Sequence, residues 1–342
     1  MDAARPDPAT VWRSADHHLD DFRISVARAD FDTLVEAATD AAERGAPVEE
    51  LTTADLPLGP LERTVAELST ELRSGTGFRL LGGVPTTELS IAVTERVFWG
   101  IGLRLGTPVS QSVMGERLGH VIDVTKTDPH ARAYRNSSEL TPHSDPADLL
   151  SFLCIHPAAV GGVSRFVSSM AIHEELRAQR PDLLERLYRG FHYHRGGEQQ
   201  PGDPDITPHR VPVFSEHDGH VSARYVRFYI EVAAEQDPTI TLDDLDREAI
   251  DMLEALAADP SLHFEFTLGP GEAVFANNFT VMHARASFED RPEHPARHLL
   301  RLWLSTDPPR PLTPDIWHYE GEPGIPPVQG RTPSFVTSVD VQ

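Results

Sequence analysis

One stretch near the end of the core combines a strand pattern with two charged residues: Arg297-His298-Leu299-Leu300-Arg301-Leu302-Trp303-Leu304. Leucine occupies every second position from Leu300 to Leu304, and successive side chains of a β-strand point to opposite faces. The stretch therefore predicts a strand that packs its leucine face on a core. Arg297 and Arg301 fall on the other face, so two guanidinium groups are predicted to point into one space.

The region from residue 109 to residue 304 extends this strand pattern. Short apolar or alternating runs are separated by Gly, Pro and Asp, which is typical of a sandwich or barrel. Asp218-Gly219 is a strong hairpin signal, so His217 and His220 are interpreted as turn residues rather than metal ligands. Strands are predicted at 120–124, 149–156, 164–168, 211–214, 220–225, 263–268, 273–276, 281–284 and 298–304.

Helices are predicted mainly before this region, at 31–44, 61–73 and 86–105, together with a strand at 78–81. Thr86 or Thr87 is the predicted N-cap of the third helix. Further helices are predicted at 172–178, 181–187 and 242–258, the last behind a Thr241 N-cap. The fold class is therefore mainly β with helices (α+β). We predict a single domain, 1–342, with a helical N-terminal part (1–108), a strand-rich core (109–306) and a Pro-rich C-terminal tail (307–342) over the surface.

The chain is strongly acidic, with 53 Asp and Glu against 30 Lys and Arg and a net charge of −23. Such a surface repels phosphate backbones and anionic lipid, so neither nucleic-acid nor membrane binding is expected. Without a secretory h-region or an apolar stretch of roughly 20 residues, the sequence predicts a cytoplasmic protein. The single cysteine, Cys154, lies in an apolar run and is predicted to be buried. A count of one cysteine excludes cysteine-ligated zinc and iron–sulfur sites.

A candidate metal site is formed by His143-Ser144-Asp145 and, far along the chain, His283. Residues i and i+2 of an extended segment share a face, so His143 and Asp145 can reach one metal. Two histidines and one carboxylate are the ligand set of non-haem Fe(II) oxygenases, which leaves coordination positions open for oxygen chemistry. His18-Leu19-Asp20 has the same form but lies in a charged segment without a strand pattern, so it is not interpreted as a pair of metal ligands.

The two arginines after His283 indicate what else the site binds. A guanidinium on the inner face of a strand is costly without a partner, because burial removes its hydration. A bound carboxylate is a good partner, since it accepts two parallel hydrogen bonds. The pattern suggests a dicarboxylate co-substrate and an anionic substrate; the alternative is that Arg297 and Arg301 pair with internal Asp or Glu.

Four stretches, 140–148, 161–169, 277–285 and 297–304, resemble a known group of enzymes. They are similar to the Fe(II)/2-oxoglutarate-dependent dioxygenases of the taurine dioxygenase (TauD/TfdA-like) family, in the clavaminate synthase-like superfamily. The resemblance covers roughly residues 77–305. It implies a double-stranded β-helix, or jelly roll, in the core, and a reaction that uses Fe(II), 2-oxoglutarate and O2.

The resemblance also implies roles for individual residues. Iron would be held by His143, Asp145 and His283. Arg297 would bind the distal carboxylate of 2-oxoglutarate, helped by Ser164, which stands where the family usually has threonine. Arg301 is similar in position to the arginine that holds an acidic group of the substrate in several relatives.

Further residues are candidates for the substrate pocket by the same analogy. Gln111, Asn136 and Arg224 could reach the substrate, although a surface or core role is equally open for each. Tyr134 and Arg135 belong to the same predicted loop as Asn136, and Arg227 is placed with Arg224 in the strand after the hairpin.

The implied activity is hydroxylation, or another oxidation of an unactivated C–H bond, in a small anionic substrate with release of succinate and CO2. An amino-acid-like compound of secondary metabolism is the expected substrate, and the resemblance allows a homo-oligomer. The residues leave two alternatives open: a non-oxidative His/Asp metal enzyme, such as a hydrolase or isomerase, and a non-catalytic module that binds 2-oxoglutarate.

Overall fold

A computed structural model of the protein describes residues 5–125, 136–319 and 323–330, which form a mixed α+β fold. The α-helices are α1 (Asp32–Glu43), α2 (Glu62–Ser74), α3 (Ile91–Leu105), α4 (Ser169–Gln179), α5 (Pro181–Arg189), α6 (Arg227–Gln236) and α7 (Asp244–Ala257). The strands are β1 (Arg23–Ser25), β2 (Phe78–Gly82), β3 (Thr107–Pro108), β4 (Leu118–Val121), β5 (Leu140–His143), β6 (Leu149–His156), β7 (Val160–Gly161), β8 (Ser164–Ser168), β9 (Phe214–His217), β10 (His220–Ala223), β11 (His263–Phe266), β12 (Ala273–Asn277), β13 (Val281–Arg285), β14 (Phe288–Glu289) and β15 (His298–Ser305).

The larger sheet has seven strands in the order β1-β2-β12-β6-β15-β3, and β4 also pairs with β15. All of its pairs are antiparallel except β1 with β2. Leu300, Leu302 and Leu304 are fully buried in one cluster with residues of α1, α2 and α3. The predicted leucine face of β15 is therefore confirmed, and it packs on the N-terminal helices.

The smaller sheet has four strands in the order β11-β8-β13-β5, all antiparallel. Alternation along β13 sends Met282 into a cluster with α4, α5 and α7, whereas Val281 joins a cluster shared by the two sheets. His283 follows the parity of Val281 and pairs in register with His143 of β5. This pairing brings together two histidines that are 140 residues apart in sequence.

Two helices, α3 and α7, begin more than one residue later than predicted. α3 begins at Ile91, because the side chain of Ser90 accepts a hydrogen bond from the backbone N–H of Val93, while residues 86–89 form a turn and bend. α7 begins behind Asp243, whose carboxylate accepts from the N–H of Asp246. The predicted Thr86, Thr87 and Thr241 caps are wrong, since the side chain that reaches a free N–H sets the boundary.

The region around the hairpin also differs in part. Asp218 and Gly219 both have positive φ, 49° and 78°, so the hairpin turn between β9 and β10 is confirmed. Arg227 opens α6 rather than continuing a strand, and the strand predicted at 211–214 begins only at Phe214.

The predicted surface course of the tail is wrong for two buried stretches among the described residues, 316–319 and 324–325. Cys154 is buried, as predicted, and burial raises the pKa of its thiol to about 12. Within the described ranges, no helix is both long enough and apolar enough to cross a membrane.

Candidate metal centre

The three predicted metal ligands converge. His143 ends β5, Asp145 follows two residues later, and His283 lies in the neighbouring strand β13. One potential ligand atom from each lies within 4.8 Å of the other two. Nε2 of His143 is 3.8 Å from Oδ1 of Asp145, and Nε2 of His283 is 3.8 Å from Oδ2. Among the described residues, this is the one group of three or more His, Cys, Asp or Glu arranged to hold a metal ion.

The protonation states of this group suit a cation. Burial lowers the pKa of His143, and it lowers that of His283 to about 3, with a further decrease from neighbouring His143. Burial acts to raise the pKa of Asp145, but His283, Arg301, His143 and a hydrogen bond from Trp303 outweigh it and lower the pKa. Two neutral imidazoles and an ionised carboxylate are the forms in which these side chains bind metals.

Neighbouring groups hold each ligand in place. Nδ1 of His143 lies 2.7 Å from the carbonyl oxygen of Thr141, which can only accept, so Nε2 is left for the metal. The indole N–H of Trp303 donates to Oδ2 of Asp145 at 2.8 Å. The backbone N–H of Asp145 donates to Oδ1 of Asn278 at 3.2 Å. Sequence reasoning missed the contact from Trp303, although this residue lies two positions after Arg301 on the face predicted to point at the site.

Arg297 is a buried cation close to the Gly161-Gly162 turn. Its side chain stacks on Phe288, with 4.9 Å between the guanidinium carbon and the ring centre. A Cβ on Gly162, whose φ is +68°, would lie 3.5 Å from Nε of Arg297, so the turn passes directly beside the side chain. Among the described residues, buried Nη1 of Arg297 has no hydrogen-bond partner. Burial lowers the pKa of Arg297 to about 10, against the opposite effects of Cys154 and Asp290.

Arg301 acts electrostatically on the metal ligands, since its charge lowers the pKa of Asp145. Its guanidinium carbon is 4.5 Å from the centre of the Trp303 ring, and its Nε donates to Oε1 of Gln111 at 2.6 Å. The amide nitrogen of Gln111 donates to the carbonyl oxygens of Arg301 and Arg117, each at 2.9 Å. Gln111 is fully buried. Its side-chain amide therefore contacts both the guanidinium and the backbone carbonyl oxygen of Arg301 away from water.

The remaining candidates occupy different settings. Ser164 is half-buried at the start of β8, two residues after Gly162. Asn136 accepts hydrogen bonds from Arg285 at its carbonyl oxygen and from the N–H of Ser138 at its side chain. Arg224 is buried, and its guanidinium donates to the carbonyl oxygen of Ser144. Tyr134 and Arg135 lie outside the described residues.

A family comparison decides which chemistry this centre serves. The sequence model described as "Taurine catabolism dioxygenase TauD, TfdA family" matches residues 41–303. The chain belongs to the TauD/TfdA dioxygenase family. Together with the His-Asp-His cluster, this membership makes it an Fe(II)- and 2-oxoglutarate-dependent dioxygenase, as the sequence predicted.

Individual relatives agree with this membership. The chain is 30% identical to FR-33289 synthase of Streptomyces rubellomurinus over 280 residues, which cover 80% of this chain and 82% of that protein. Its fold is similar to that of asparagine oxygenase in complex with Fe(II), 2S,3S-3-hydroxyasparagine and succinate, with a TM-score of 0.63, 17% identity, and coverage of 83% of this chain and 93% of that chain. It is also similar to the non-heme iron oxygenase OrfP in complex with Fe and alpha-ketoglutaric acid, with a TM-score of 0.60, 15% identity, and coverage of 82% and 93%.

Proposed function

We propose that this dioxygenase hydroxylates a small anionic, amino-acid-like substrate, with iron held by His143, Asp145 and His283. The observation that carries the proposal is the convergence of these ligand atoms within 4.8 Å in a buried site. Neutral imidazole and carboxylate are ligands that suit Fe(II) and leave part of its coordination sphere for other molecules. When bound, iron and 2-oxoglutarate supply the oxygen chemistry, in which one oxygen atom of O2 enters the substrate and the other enters succinate as CO2 is released.

Arg297 is the proposed partner of the distal carboxylate of 2-oxoglutarate. Its Nη1 is buried and lacks a hydrogen-bond partner among the described residues, and burial disfavours its charge. A carboxylate would satisfy the free N–H groups and compensate the charge. Ser164, two residues beyond the glycine turn that contacts Arg297, is proposed to donate its hydroxyl to the same carboxylate.

Arg301 is the proposed partner of an acidic group on the substrate. It is 3% exposed, and its positive charge contributes to the lowered pKa of Asp145, which places it near the metal ligands. Gln111 and Trp303 hold its guanidinium from two sides. An anion bound there would bring the attached carbon skeleton beside the metal. The amide oxygen and nitrogen of Gln111 both hydrogen-bond to other protein groups. We therefore propose that Gln111 orients Arg301 rather than contacting the substrate.

The finer description of the fold is likewise a proposal. The two sheets share a hydrophobic cluster that includes Phe166 and Phe264 of the smaller sheet and Val274 of the larger one. This packing, and the likeness to the solved oxygenases, support a double-stranded β-helix that encloses the metal centre. A single domain over 1–342, an oligomeric state and a cytoplasmic location stay predictions.

Two measurements test the function. In anaerobic titrations, Fe(II) and 2-oxoglutarate together should give the weak visible charge-transfer band of the chelate. In air, a panel of amino acids and small carboxylic, sulfonic and phosphonic acids should include one that stimulates succinate release. A non-oxidative metal enzyme would show no requirement for O2 or 2-oxoglutarate, and a binding module would form the chelate without releasing succinate.

Asp145→Ala provides the matched variant. It should abolish substrate-dependent succinate formation, because the carboxylate ligand is removed. Asp20→Ala, in the similar surface triplet His18-Leu19-Asp20, should leave turnover unchanged. Full turnover by Asp145→Ala would refute the assignment.

A further inference from the structure

Ser144, between the two metal ligands, makes hydrogen bonds with its N–H, its hydroxyl and its carbonyl oxygen to residues 224 and 225. Its backbone N–H donates to the carbonyl oxygen of Tyr225 at 2.9 Å, and its hydroxyl accepts from the N–H of Tyr225 at 3.1 Å. Its carbonyl oxygen accepts from Nη1 of Arg224 at 2.9 Å. An isolated antiparallel bridge also joins His143 to Val226. The backbone of the ligand triplet is therefore fixed by residues 224–226.

Arg224 is an unusual member of this segment because its guanidinium is almost completely buried, with 1% exposed. Its second terminal nitrogen, Nη2, lies 3.2 Å from Nδ1 of His318, and its Nε has no hydrogen-bond partner among the described residues. Burial lowers the pKa of Arg224, and Tyr193 and Asp145 oppose this effect. A buried cation is retained only where its contacts compensate the lost hydration.

His318 brings the C-terminal segment to this arginine. Its ring is 1% exposed and lies among Tyr193, Tyr229 and Tyr319, with ring-centre distances of 5.7, 5.9 and 4.1 Å. An Arg side chain can only donate, so Nδ1 of His318 must accept from it. The backbone of His318 is also anchored, since its carbonyl oxygen accepts from Nε of Arg195 at 2.7 Å.

We propose that Arg224 is a positioning residue of the metal centre and that His318 holds it in place from the C-terminal segment. Arg224 would connect His318 to the carbonyl oxygen of Ser144, which lies between the two ligands. The position of His318 would then set the direction in which His143 and Asp145 present their ligand atoms. The proposal rests on the proposed metal site but not on its redox chemistry. It replaces the substrate contact predicted for Arg224 with a structural connection to the ligands.

The test uses Co(II) as a probe of the full-length protein without 2-oxoglutarate. Arg224→Gln and His318→Phe should each weaken Co(II) binding by about 10- to 100-fold, as is typical for residues that orient metal ligands, and should shift the ligand-field absorption bands. His318→Asn should show the Co(II) affinity and the absorption bands of the wild type, because the amide oxygen can occupy the position of Nδ1 and accept from Arg224. This rescue separates a positioning role from a loss of folding, which melting curves monitor.

Arg310→Gln is the matched control. Arg310 belongs to the same C-terminal segment and donates to Ser222 and to the carbonyl oxygen of Val221, each at 2.9 Å, but not to the ligand triplet. It should lower the melting temperature and leave the Co(II) affinity and spectrum unchanged. Wild-type Co(II) affinity in Arg224→Gln and His318→Phe would overturn the positioning role but not the metal centre. A loss of Co(II) affinity in Arg310→Gln as large as that in Arg224→Gln would do the same. A wild-type protein that binds no metal would overturn the metal centre as well.

Discussion

Trp303 donates its indole N–H to Oδ2 of Asp145, and the same ring carries the guanidinium of Arg301 on its face. One side chain therefore contacts both the carboxylate of the candidate metal centre and the proposed anion-binding residue. Trp303 is 1% exposed, so these contacts are shielded from water. The indole ties the orientation of the metal ligand to that of the arginine.

Trp303→Phe separates these two contacts, because phenylalanine keeps an aromatic face for Arg301 but has no N–H for Asp145. We expect about tenfold weaker Fe(II) binding under anaerobic conditions, the lower end of the effect of removing a group that orients a metal ligand. The matched control is Trp99→Phe, which removes a buried hydrogen bond to the carbonyl oxygen of Leu51. That variant should lose about 1 kcal/mol of stability without a change in metal affinity. Equal Fe(II) affinities in both variants and the wild type would count against the role of the indole.

Arg297→Gln should weaken 2-oxoglutarate binding without destabilising the protein. Hydrogen bonds to charged groups contribute about 1.5–3 kcal/mol, so the dissociation constant should rise about 10- to 100-fold. The melting temperature without 2-oxoglutarate should stay the same or rise, since the substitution removes a buried charge whose Nη1 has no hydrogen-bond partner among the described residues. Arg165→Gln, at a partly exposed ion pair with Glu265, is the control and should leave 2-oxoglutarate binding unchanged. Unaltered binding by Arg297→Gln would place the distal carboxylate elsewhere.

Gln111→Leu should affect the substrate rather than the co-substrate. The change preserves side-chain volume but removes the acceptor for Nε of Arg301 and both amide donors. We expect KM for the acid identified by succinate release to rise about tenfold, the effect of about 1.4 kcal/mol, while the dissociation constant of 2-oxoglutarate stays constant. Gln200→Leu, which removes a bond to the carbonyl oxygen of Pro326, is the control. A parallel loss of 2-oxoglutarate affinity in Gln111→Leu would show that the two arginines do not act separately.

Strand parity predicted part of this site correctly. Alternation along β15 separates Leu300 and Leu302, which pack on the helices, from Arg301 and Trp303, which contact one another. Parity alone does not place Arg297, because it precedes β15 and a register shift lies between His298 and Leu299. The local pattern is informative only as far as the strand is regular.

Contacts between distant segments were not predictable in the same way. Gln111 and Arg301 are 190 residues apart, and Arg224 and His318 are 94 residues apart. Neither pairing leaves a periodic signal, because a hydrogen bond between two side chains depends on the assembled fold. The proline content after residue 306 indicated an irregular chain, but irregular chain can still be buried, as His318 shows.

His298 should make the stability of the protein depend on pH. Burial lowers the pKa of His298 to about 4, with further decreases from His120 and His156, and its Nε2 lies 2.8 Å from Nδ1 of His120. In the unfolded chain a histidine titrates near about 6.5, so between about pH 6.5 and 4 the unfolded state binds more protons than the folded state. Stability is therefore lost as the pH falls through this window.

His298→Gln should reduce this loss. Urea unfolding of both proteins is compared from pH 7.5 to 4.5. As the pH falls, the free energy of unfolding of the variant should decrease less than that of the wild type. His217→Gln, on the exposed hairpin, controls for the loss of one histidine. Because the histidines that do not contact His298 are present in both proteins, the difference reports His298 together with its contact to His120. Parallel curves for wild type and His298→Gln would mean that this histidine keeps the same proton affinity in the folded and unfolded states.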